Sequence, residues 1–305
     1  MSVKTGVIGV GAIGRNHARI YAELENSSLV GIYDANMEQA AAIAEEFGTK
    51  AFSSLDELVA EVDAASVSTP TVTHREIATQ LLNSGKHVLV EKPISDSVDD
   101  AKAIIDLAHE KGLVLQVGHI ERFNPVMSQL ESRLDRPKFI ECHRLSPFPQ
   151  RSLDIGVVLD LMIHDLEIVL HLVNSPVASV DAVGIPVLTR REDIANARIR
   201  FEDGCVANIT ASRISPERMR KIRVFQSNAY LSLDYQDQSG WIYRKDGLEI
   251  GREEVEVEKD EPLKCELMSF VECAAKGEAP KVSGQQGADA LEVALEITRL
   301  IEADA

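Results

Sequence analysis

The sequence predicts a two-domain α/β protein, and three observations lead to that fold class. The length of 305 residues exceeds what one ordinary hydrophobic core organises. Apolar, β-rich runs alternate with helical patterns as far as Gly118, and strand-like segments then follow one another directly. We therefore expect a parallel sheet covered by helices in residues 1–118 and an α/β domain with a mostly antiparallel sheet in residues 119–305.

Six apolar runs are the expected strands of the first domain. They are Thr5–Ile8, Leu29–Tyr33, Ala51–Phe52, Ala64–Ser68, His87–Val90 and Val114–Val117. Five helical patterns lie between them, at Ile13–Leu24, Met37–Phe47, Leu55–Ala60, Arg75–Ser84 and Val98–Lys111. Runs that are apolar throughout are typical of strands buried on both faces of a parallel sheet. Thr73 and Glu76 predict a capping box at the fourth helix.

The second domain is expected to combine four helices with eight strands. The helical patterns are Arg122–Leu134, Gly156–Val173, Pro262–Ala275 and Gly287–Glu302. The strand patterns are Phe139–Leu145, Val177–Leu188, Ala195–Phe201, Cys205–Ser212, Lys221–Gln226, Ala229–Asp234, Gly240–Arg244 and Glu254–Val257. Consecutive strands without crossover helices favour antiparallel pairing.

Charge and composition exclude several classes of partner. The chain has 49 acidic and 32 basic residues and a formal net charge of −17, so it should repel nucleic-acid phosphates. No apolar stretch is long enough for a membrane span, and no signal peptide is recognisable. The four cysteines lack metal-ligand spacing, so we expect free thiols and no metal site. A cytoplasmic protein is the expected result.

A glycine-rich segment joins the first strand to the first helix. It reads Gly9-Val10-Gly11-Ala12-Ile13-Gly14, and in this context it predicts a Rossmann loop that holds a dinucleotide pyrophosphate at the helix N-terminus. Asp34 closes the second strand, where a carboxylate would accept hydrogen bonds from the adenosine ribose. No arginine immediately follows Asp34, which favours NAD over NADP. The alternative is a structural turn with a surface aspartate.

The fifth strand ends in Glu91-Lys92-Pro93. Open parallel sheets bind ligands at the carboxyl ends of their strands, so this pair of charges is a candidate site. Residue types alone leave a solvated loop equally open.

The chain resembles the Gfo/Idh/MocA oxidoreductases over nearly its whole length. The resemblance rests on the glycine loop with Asp34, on Ser68-Thr69-Pro70 with His74 beyond, on Glu91-Lys92-Pro93, and on Asp160 with His164. It implies hydride transfer between NAD(P) and a sugar or polyol hydroxyl. It also implies cofactor contacts from Ser68, Thr69, His74, Glu91 and Lys92, and contacts of Lys92 with both substrate and nicotinamide. A large open sheet used for oligomerisation, as in a homodimer or homotetramer, is implied as well.

Polar residues are sparse in the apolar helical pattern Gly156–Val173. Asp160, His164, Glu167 and His171 step by four, three and four residues and share one face. Such a narrow stripe suggests a cleft, although periodicity alone equally allows a thin solvent-facing stripe. The family resemblance favours Asp160 and His164 as catalytic residues with Lys92. His164 would accept the hydroxyl proton, Lys92 would polarise the oxygen, and Asp160 would orient the substrate or the imidazole.

The segment between the domains, Gly118 to Pro125, carries candidate substrate ligands. His119, Arg122 and Asn124 could contact hydroxylated or anionic groups, or the segment could be a linker in which Asn124-Pro125 starts a helix. Together with Asp160–Leu166, this segment resembles a family branch that includes nucleotide-sugar 3-dehydrogenases such as those acting on UDP-N-acetylglucosamine. The cations that could neutralise a diphosphate are Arg122, Arg144, Arg151, Arg213, Arg218, Arg220 and Lys221.

Two alternatives to a nucleotide-sugar dehydrogenase stay open. One is a dehydrogenase of a free sugar, inositol or another polyol. The other is a non-catalytic regulator that binds a dinucleotide, which the presence of Lys92, Asp160 and His164 disfavours.

Overall fold

The computed structural model describes residues 2–148, 155–246 and 249–303, and the chain divides into two compact units. The first unit contains residues 1–120 and 261–288, and the second contains residues 121–260 and 289–305. Residues 261–288 join the first unit because Leu263, Leu267 and Phe270 belong to its hydrophobic core. The sequence placed this segment in the second domain, and the division after residue 118 stays a prediction.

The first unit is built on a six-stranded parallel sheet, which confirms the Rossmann expectation. Its strands are β1 (Val3–Ile8), β2 (Ser27–Tyr33), β3 (Lys50–Ala51), β4 (Ala64–Val67), β5 (His87–Glu91) and β6 (Leu115–Gly118). Their spatial order is β3-β2-β1-β4-β5-β6. The order reverses between β1 and β4, and ligands of such sheets bind outside the carboxyl ends of the strands at this point.

Five helices of the first unit connect these strands. They are α1 (Ala12–Glu23), α2 (Met37–Glu46), α3 (Leu55–Glu61), α4 (His74–Asn83) and α5 (Val98–Lys111). The predicted capping box at α4 is wrong: no side chain caps the helix at Thr73. A 3₁₀ turn, Thr71–Thr73, runs directly into α4, and the Thr73 hydroxyl instead donates to Thr69 Oγ1 at 2.7 Å.

The second unit contains an eight-stranded sheet in the order β14-β13-β12-β11-β7-β10-β9-β8. Its elements are α6 (Pro125–Glu131), β7 (Phe139–Leu145), a π-helical turn (Val158–Met162), α7 (Ile163–Val173), β8 (Val177–Ile185), β9 (Ile194–Phe201), β10 (Val206–Ser212), β11 (Met219–Phe225), β12 (Ala229–Asp234), β13 (Ser239–Asp246) and β14 (Glu249–Glu254). Neighbouring strands are antiparallel except β7 and β10, which confirms the mostly antiparallel sheet. The chain continues through α8 (Pro262–Lys276) and α9 (Gly284–Ala303).

Two elements of the second unit differ from the sequence expectation. The last strand covers Glu249–Glu254 rather than Glu254–Val257, and all six of its residues are exposed. The helix expected over Arg122–Leu134 is a 3₁₀ turn, Ile120–Phe123, followed by the shorter α6. Asn124 separates the two segments because its side chain caps α6 by accepting from the Val126 N–H.

The large sheet has one covered face and one open face. Alternate residues such as Ile140, Ile209 and Ile222 share a core with Leu166 and Val169 of α7. The other face carries an aromatic row of Phe139, Phe225, Tyr230 and Tyr243, whose neighbouring ring centroids lie 5.6, 5.1 and 4.3 Å apart.

Two bulk features can be read from the described residues. None of the helices found there is both long and apolar enough to span a membrane. All four cysteines are free, as expected.

Candidate active site

The glycine loop after β1 forms a turn that requires glycine at two of its positions. Gly9 has a φ of +84°, in the left-handed region that favours glycine. A Cβ on Gly14 would lie 1.9 Å from the Gly9 carbonyl oxygen, so Gly14 permits close packing of α1 on the loop. A Cβ on Gly11 would meet no atom within 4 Å. Gly11 therefore leaves open space before the helix, where a pyrophosphate requires close approach to the backbone.

The N-terminus of α1 is suited to an anion. Gly11 offers no side-chain cap, and the first turn of α1 carries no acidic residue. Helices α2, α3 and α5, in contrast, are capped by Asn36, Ser54 and Ser97 and have acidic first turns. The N–H groups and positive dipole end of α1 are thus available to a dinucleotide pyrophosphate, and the loop residues Gly9, Gly11, Ala12, Ile13 and Gly14 fit that group.

Asp34 is fixed beside the glycine loop. Its Oδ2 accepts from the Val10 N–H at 2.7 Å, and its Oδ1 accepts from the Asn36 N–H at 2.8 Å. The side chain stays partly exposed. Each carboxylate oxygen can accept a further hydrogen bond, so Asp34 can bind a ribose diol while holding the loop.

Ser68, Thr69 and His74 lie around the loop that follows β4. The Ser68 hydroxyl donates to the Gly9 carbonyl at 2.8 Å. His74 is buried, with Nδ1 2.9 Å from the Pro93 oxygen and Nε2 2.9 Å from the Thr69 oxygen. Burial, the strongest influence, lowers the pKa of His74 and favours a neutral ring, which donates to only one of these carbonyls. His74 therefore holds two loops together, and its cofactor contact stays a prediction.

Glu91, Lys92 and Pro93 follow at the end of β5, and the Lys92–Pro93 peptide is cis. Glu91 Oε1 lies 3.1 Å from Nε2 of His17, a fully buried residue of α1. Gly118 accommodates the Glu91 carboxyl, because a Cβ there would lie 2.9 Å from it. Glu91 thus links β5, β6 and α1, while the neighbouring Lys92 side chain is partly exposed.

In the second unit, Asp160 lies in the π-helical turn and His164 in the first turn of α7. Both side chains are partly exposed, while Met162 and Ile163 between them are buried. Isolated π turns within helices often occur at functional sites. Asp160 and His164 are therefore partly exposed polar residues on a mostly buried helical segment.

The rest of the polar stripe binds within the chain. Glu167 is buried and accepts from Arg122 Nη1 at 2.6 Å, and His171 Nε2 lies 3.1 Å from Glu131. Asp165, directly after His164, is held by Arg144 through Nε at 2.7 Å and Nη2 at 3.1 Å. These two arginine–carboxylate pairs fix the orientation of α7 in the turn that follows His164.

The predicted substrate ligands of the connecting segment are buried in their respective units. His119 is 1% exposed in the first unit, and Arg122 and Asn124 are 2% and 3% exposed in the second. The Asn124 amide donates to the Tyr235 carbonyl at 2.9 Å in addition to capping α6. The contacts of Arg122 and Asn124 described here are with the chain itself, and contact with substrate stays a prediction for all three residues.

Sequence reasoning missed an anchor of the π turn. Glu192 is buried and receives the Val157 N–H at its carbonyl and the Val158 N–H at its Oε1. Its neighbour Asp193 pairs with Arg213, which also donates to the Ile155 carbonyl at 2.8 Å. The sequence indicates Arg213 as a candidate diphosphate ligand, and the structure pairs it with a buried carboxylate instead. Glu192 and Asp193 lie next to each other between two strands, but nothing in their spacing indicates that both carboxylates are buried.

Comparison with known proteins bears on this arrangement. A family model described as oxidoreductase family, NAD-binding Rossmann fold, matches residues 3–119, and the GFO/IDH/MocA C-terminal domain matches residues 127–232. The chain is also 39% identical to the UDP-N-acetylglucosamine 3-dehydrogenase of Acidithiobacillus ferrooxidans, over 99% of this chain and 98% of that protein. The chain belongs to the Gfo/Idh/MocA oxidoreductase family. It is an oxidoreductase whose cofactor is NAD.

Two comparisons of this Gfo/Idh/MocA oxidoreductase with relatives cover nearly the whole of both chains. A solved structure of the Acidithiobacillus enzyme superposes with a TM-score of 0.95, covering 99% of both chains at 39% identity. A scyllo-inositol 2-dehydrogenase (NAD⁺) of Bacillus subtilis is 27% identical over 97% of this chain and 93% of its own length. These full-length relatives carry the names of dehydrogenases of hydroxylated substrates.

Proposed function

We propose that this protein is an NAD-dependent dehydrogenase that oxidises the C3 hydroxyl of a nucleotide sugar, with UDP-N-acetylglucosamine as the substrate. The substrate assignment rests on the 39% identity to a UDP-N-acetylglucosamine 3-dehydrogenase over nearly the full length of both chains. The uncapped N-terminus of α1 and the open space at Gly11 support the dinucleotide part of the reaction.

The proposed chemistry divides between Lys92, Asp160 and His164. NAD⁺, when bound, would supply the acceptor for the hydride that leaves C3 of the sugar. His164 accepts the hydroxyl proton, so the products are a 3-keto sugar, NADH and a proton passed to solvent. The Lys92 ammonium stabilises negative charge developing on the oxygen, and Asp160 orients the hydroxyl or the imidazole. Glu91, Ser68, Thr69 and His74 support the loops around the cofactor.

The test is turnover of defined substrates by the purified protein. Incubation with NAD⁺ and UDP-N-acetylglucosamine should produce NADH absorbance, and borodeuteride reduction of the product should place deuterium at C3. Free N-acetylglucosamine and scyllo-inositol are the comparison substrates. Turnover of inositol without turnover of the nucleotide sugar would establish the polyol alternative, which the Bacillus subtilis relative motivates. Dinucleotide binding without any turnover would favour a regulator.

Asp34→Ala should weaken NAD binding about ten- to a hundredfold, because a carboxylate hydrogen-bonded to a ribose contributes about 1.5–3 kcal/mol. NADP binding should change less, because the same substitution removes repulsion of a 2′-phosphate. Calorimetry with both dinucleotides measures the change. Asp34→Asn is the companion variant, since it keeps an acceptor for the Val10 N–H. Tighter binding of NADP than NAD by the unaltered protein would refute the preference.

We also propose a homodimer or homotetramer formed through the open face of the large sheet, in a cytoplasmic enzyme. The aromatic row on that face and the exposed Val183 and Ile185 of β8 support an apolar contact. Light scattering should give two or four times the 33.5 kDa mass of one chain. Tyr230→Glu should shift the mass towards one chain, and a monomer at all concentrations would contradict the proposal.

A further inference from the structure

A diphosphate substrate needs cationic side chains to bind it. The seven arginine and lysine candidates from the sequence differ in burial and in their ion pairs. Arg122, Arg144 and Arg213 are each at most 3% exposed and paired with buried carboxylates. Lys221 Nζ lies 3.5 Å from Asp234, and alternation along β11 places Lys221 on the open face of the sheet, away from α7. Arg151 lies outside the described residues. The exposed members of the set within the described chain are Arg218, directly before β11, and Arg220, near its start.

Arg220 occupies a distinctive position on β11. Alternation along the strand places it on the same face as Ile222 and Val224, which are buried towards the helices. Arg220 lies opposite Arg144 of β7 in the strand register. Half of its side chain is exposed, so its guanidinium lies where the helix-covered face of the sheet opens to solvent.

The charges around Arg220 leave it available to an anion. Arg144 takes Glu121 Oε1 at 2.8 Å and both oxygens of Asp165. Arg220 Nη1 lies 3.6 Å from the same Glu121 oxygen, longer than a hydrogen bond. Burial and repulsion by Arg144 lower the pKa of Arg220, and Arg218 adds further repulsion. Arg144 and Arg220 thus lie around Glu121 and Asp165, and the charge of Arg218 adds to theirs, so an arriving anion would relieve repulsion among the arginines.

This cluster lies beside the proposed catalytic helix. Asp165, which Arg144 holds, directly follows His164 in α7. We propose that Arg220, supported by the charge of Arg218, binds the diphosphate of the nucleotide sugar and so selects nucleotide sugars over free sugars. The proposal rests on the proposed function, because the diphosphate belongs to that substrate class. Guanidinium groups match phosphate oxygens through paired N–H donors.

The test compares UDP with uridine in calorimetric binding to the NAD-loaded protein. Arg220→Gln should raise the Kd of UDP about tenfold or more and leave that of uridine unchanged, because uridine lacks the phosphates. Arg220→Lys keeps the positive charge but loses the paired N–H donors of the guanidinium, so its Kd for UDP should be intermediate. Arg223→Gln is the matched control. Arg223 lies on the same strand with the same exposure, but on the opposite face and 3.1 Å from Glu141.

The outcomes separate the two proposals. A UDP-specific loss in Arg220→Gln, with Arg223→Gln unchanged, supports the assignment. Equal UDP affinity in the unaltered protein and Arg220→Gln overturns it, as does an equal loss of UDP and uridine, which would mean a structural role. Wild-type protein that binds neither UDP nor UDP-N-acetylglucosamine overturns the proposed function itself. Circular dichroism of each variant verifies folding, and NAD affinity should be the same in all of them.

Discussion

His164→Ala should lower kcat by a factor of about 10²–10⁴, the usual contribution of a general base, while NAD affinity stays unchanged. The dinucleotide elements belong to the first unit and His164 to the second, so the substitution leaves the glycine loop untouched. Single-turnover formation of NADH and calorimetry with NAD measure the two quantities separately. The pH profile of kcat should also lose its decline at low pH, because no imidazole then needs to be deprotonated.

His171→Ala is the matched control for this prediction. His171 lies on the same helix and is partly exposed, but it contacts Glu131 and has no proposed role in the reaction. Its kcat should stay within a factor of about two of the unaltered enzyme. Full turnover by His164→Ala on the true substrate would mean that the proton leaves by another route.

Lys92→Ala distinguishes an electrostatic role of Lys92 from the role of general base, which we assign to His164. Loss of an electrostatic partner removes stabilisation that operates in the transition state, so kcat should fall while the pH dependence set by the base is retained. If His164→Ala keeps its turnover and Lys92→Ala abolishes the pH dependence, Lys92 is the base.

Features with strong local signals could be predicted from the sequence. The strand His87–Glu91 is apolar and buried over Val88–Val90 because both faces of a parallel sheet are covered, so the Rossmann order follows from pattern and turn chemistry. The glycine loop was equally readable, since Gly9 and Gly14 meet backbone constraints that exclude other side chains. The strand Glu249–Glu254 was not readable, because an exposed edge strand has no buried face to impose apolar alternation.

In the candidate site, too, some residues could be identified from the sequence and their contacts could not. Asp160 and His164 were identifiable, because a π turn alters the backbone without removing their shared face. The pairs that position them are not, since Arg144 and Asp165 are 21 residues apart and only the tertiary fold brings them together. His17 had a weak signal as a polar residue on the buried face of α1. Its partner Glu91 is 74 residues away, so spacing could not predict the contact.

Asp193→Ala should lower the free energy of unfolding of the second unit by about 3–5 kcal/mol, the usual cost of breaking a buried ion pair. Asp193 and Arg213 are both 0% exposed, so the substitution leaves the guanidinium buried without its carboxylate. It also removes the acceptor for the Val187, Leu188 and Thr189 N–H groups. Urea unfolding followed by fluorescence of Trp241, the single tryptophan and a residue of this unit, measures the change. Asp237→Ala, an exposed position, should change it by less than about 0.5 kcal/mol.

The same substitution should show a defined pH dependence. Although burial opposes ionisation, the Leu188 and Thr189 N–H groups and Arg213 hold the pKa of Asp193 well below its usual range. A carboxyl with a depressed folded-state pKa stabilises the protein above its unfolded pKa of about 3.9 and loses that contribution as the pH falls towards the folded value. The stability difference between the unaltered protein and Asp193→Ala should therefore be constant near neutral pH and shrink below about pH 4. Arg213 also donates to the Ile155 carbonyl, just before the helix that carries His164, so the Asp193 charge holds this segment indirectly. If the stability difference between the two proteins did not change with pH, the charge of Asp193 would not be what stabilises Arg213.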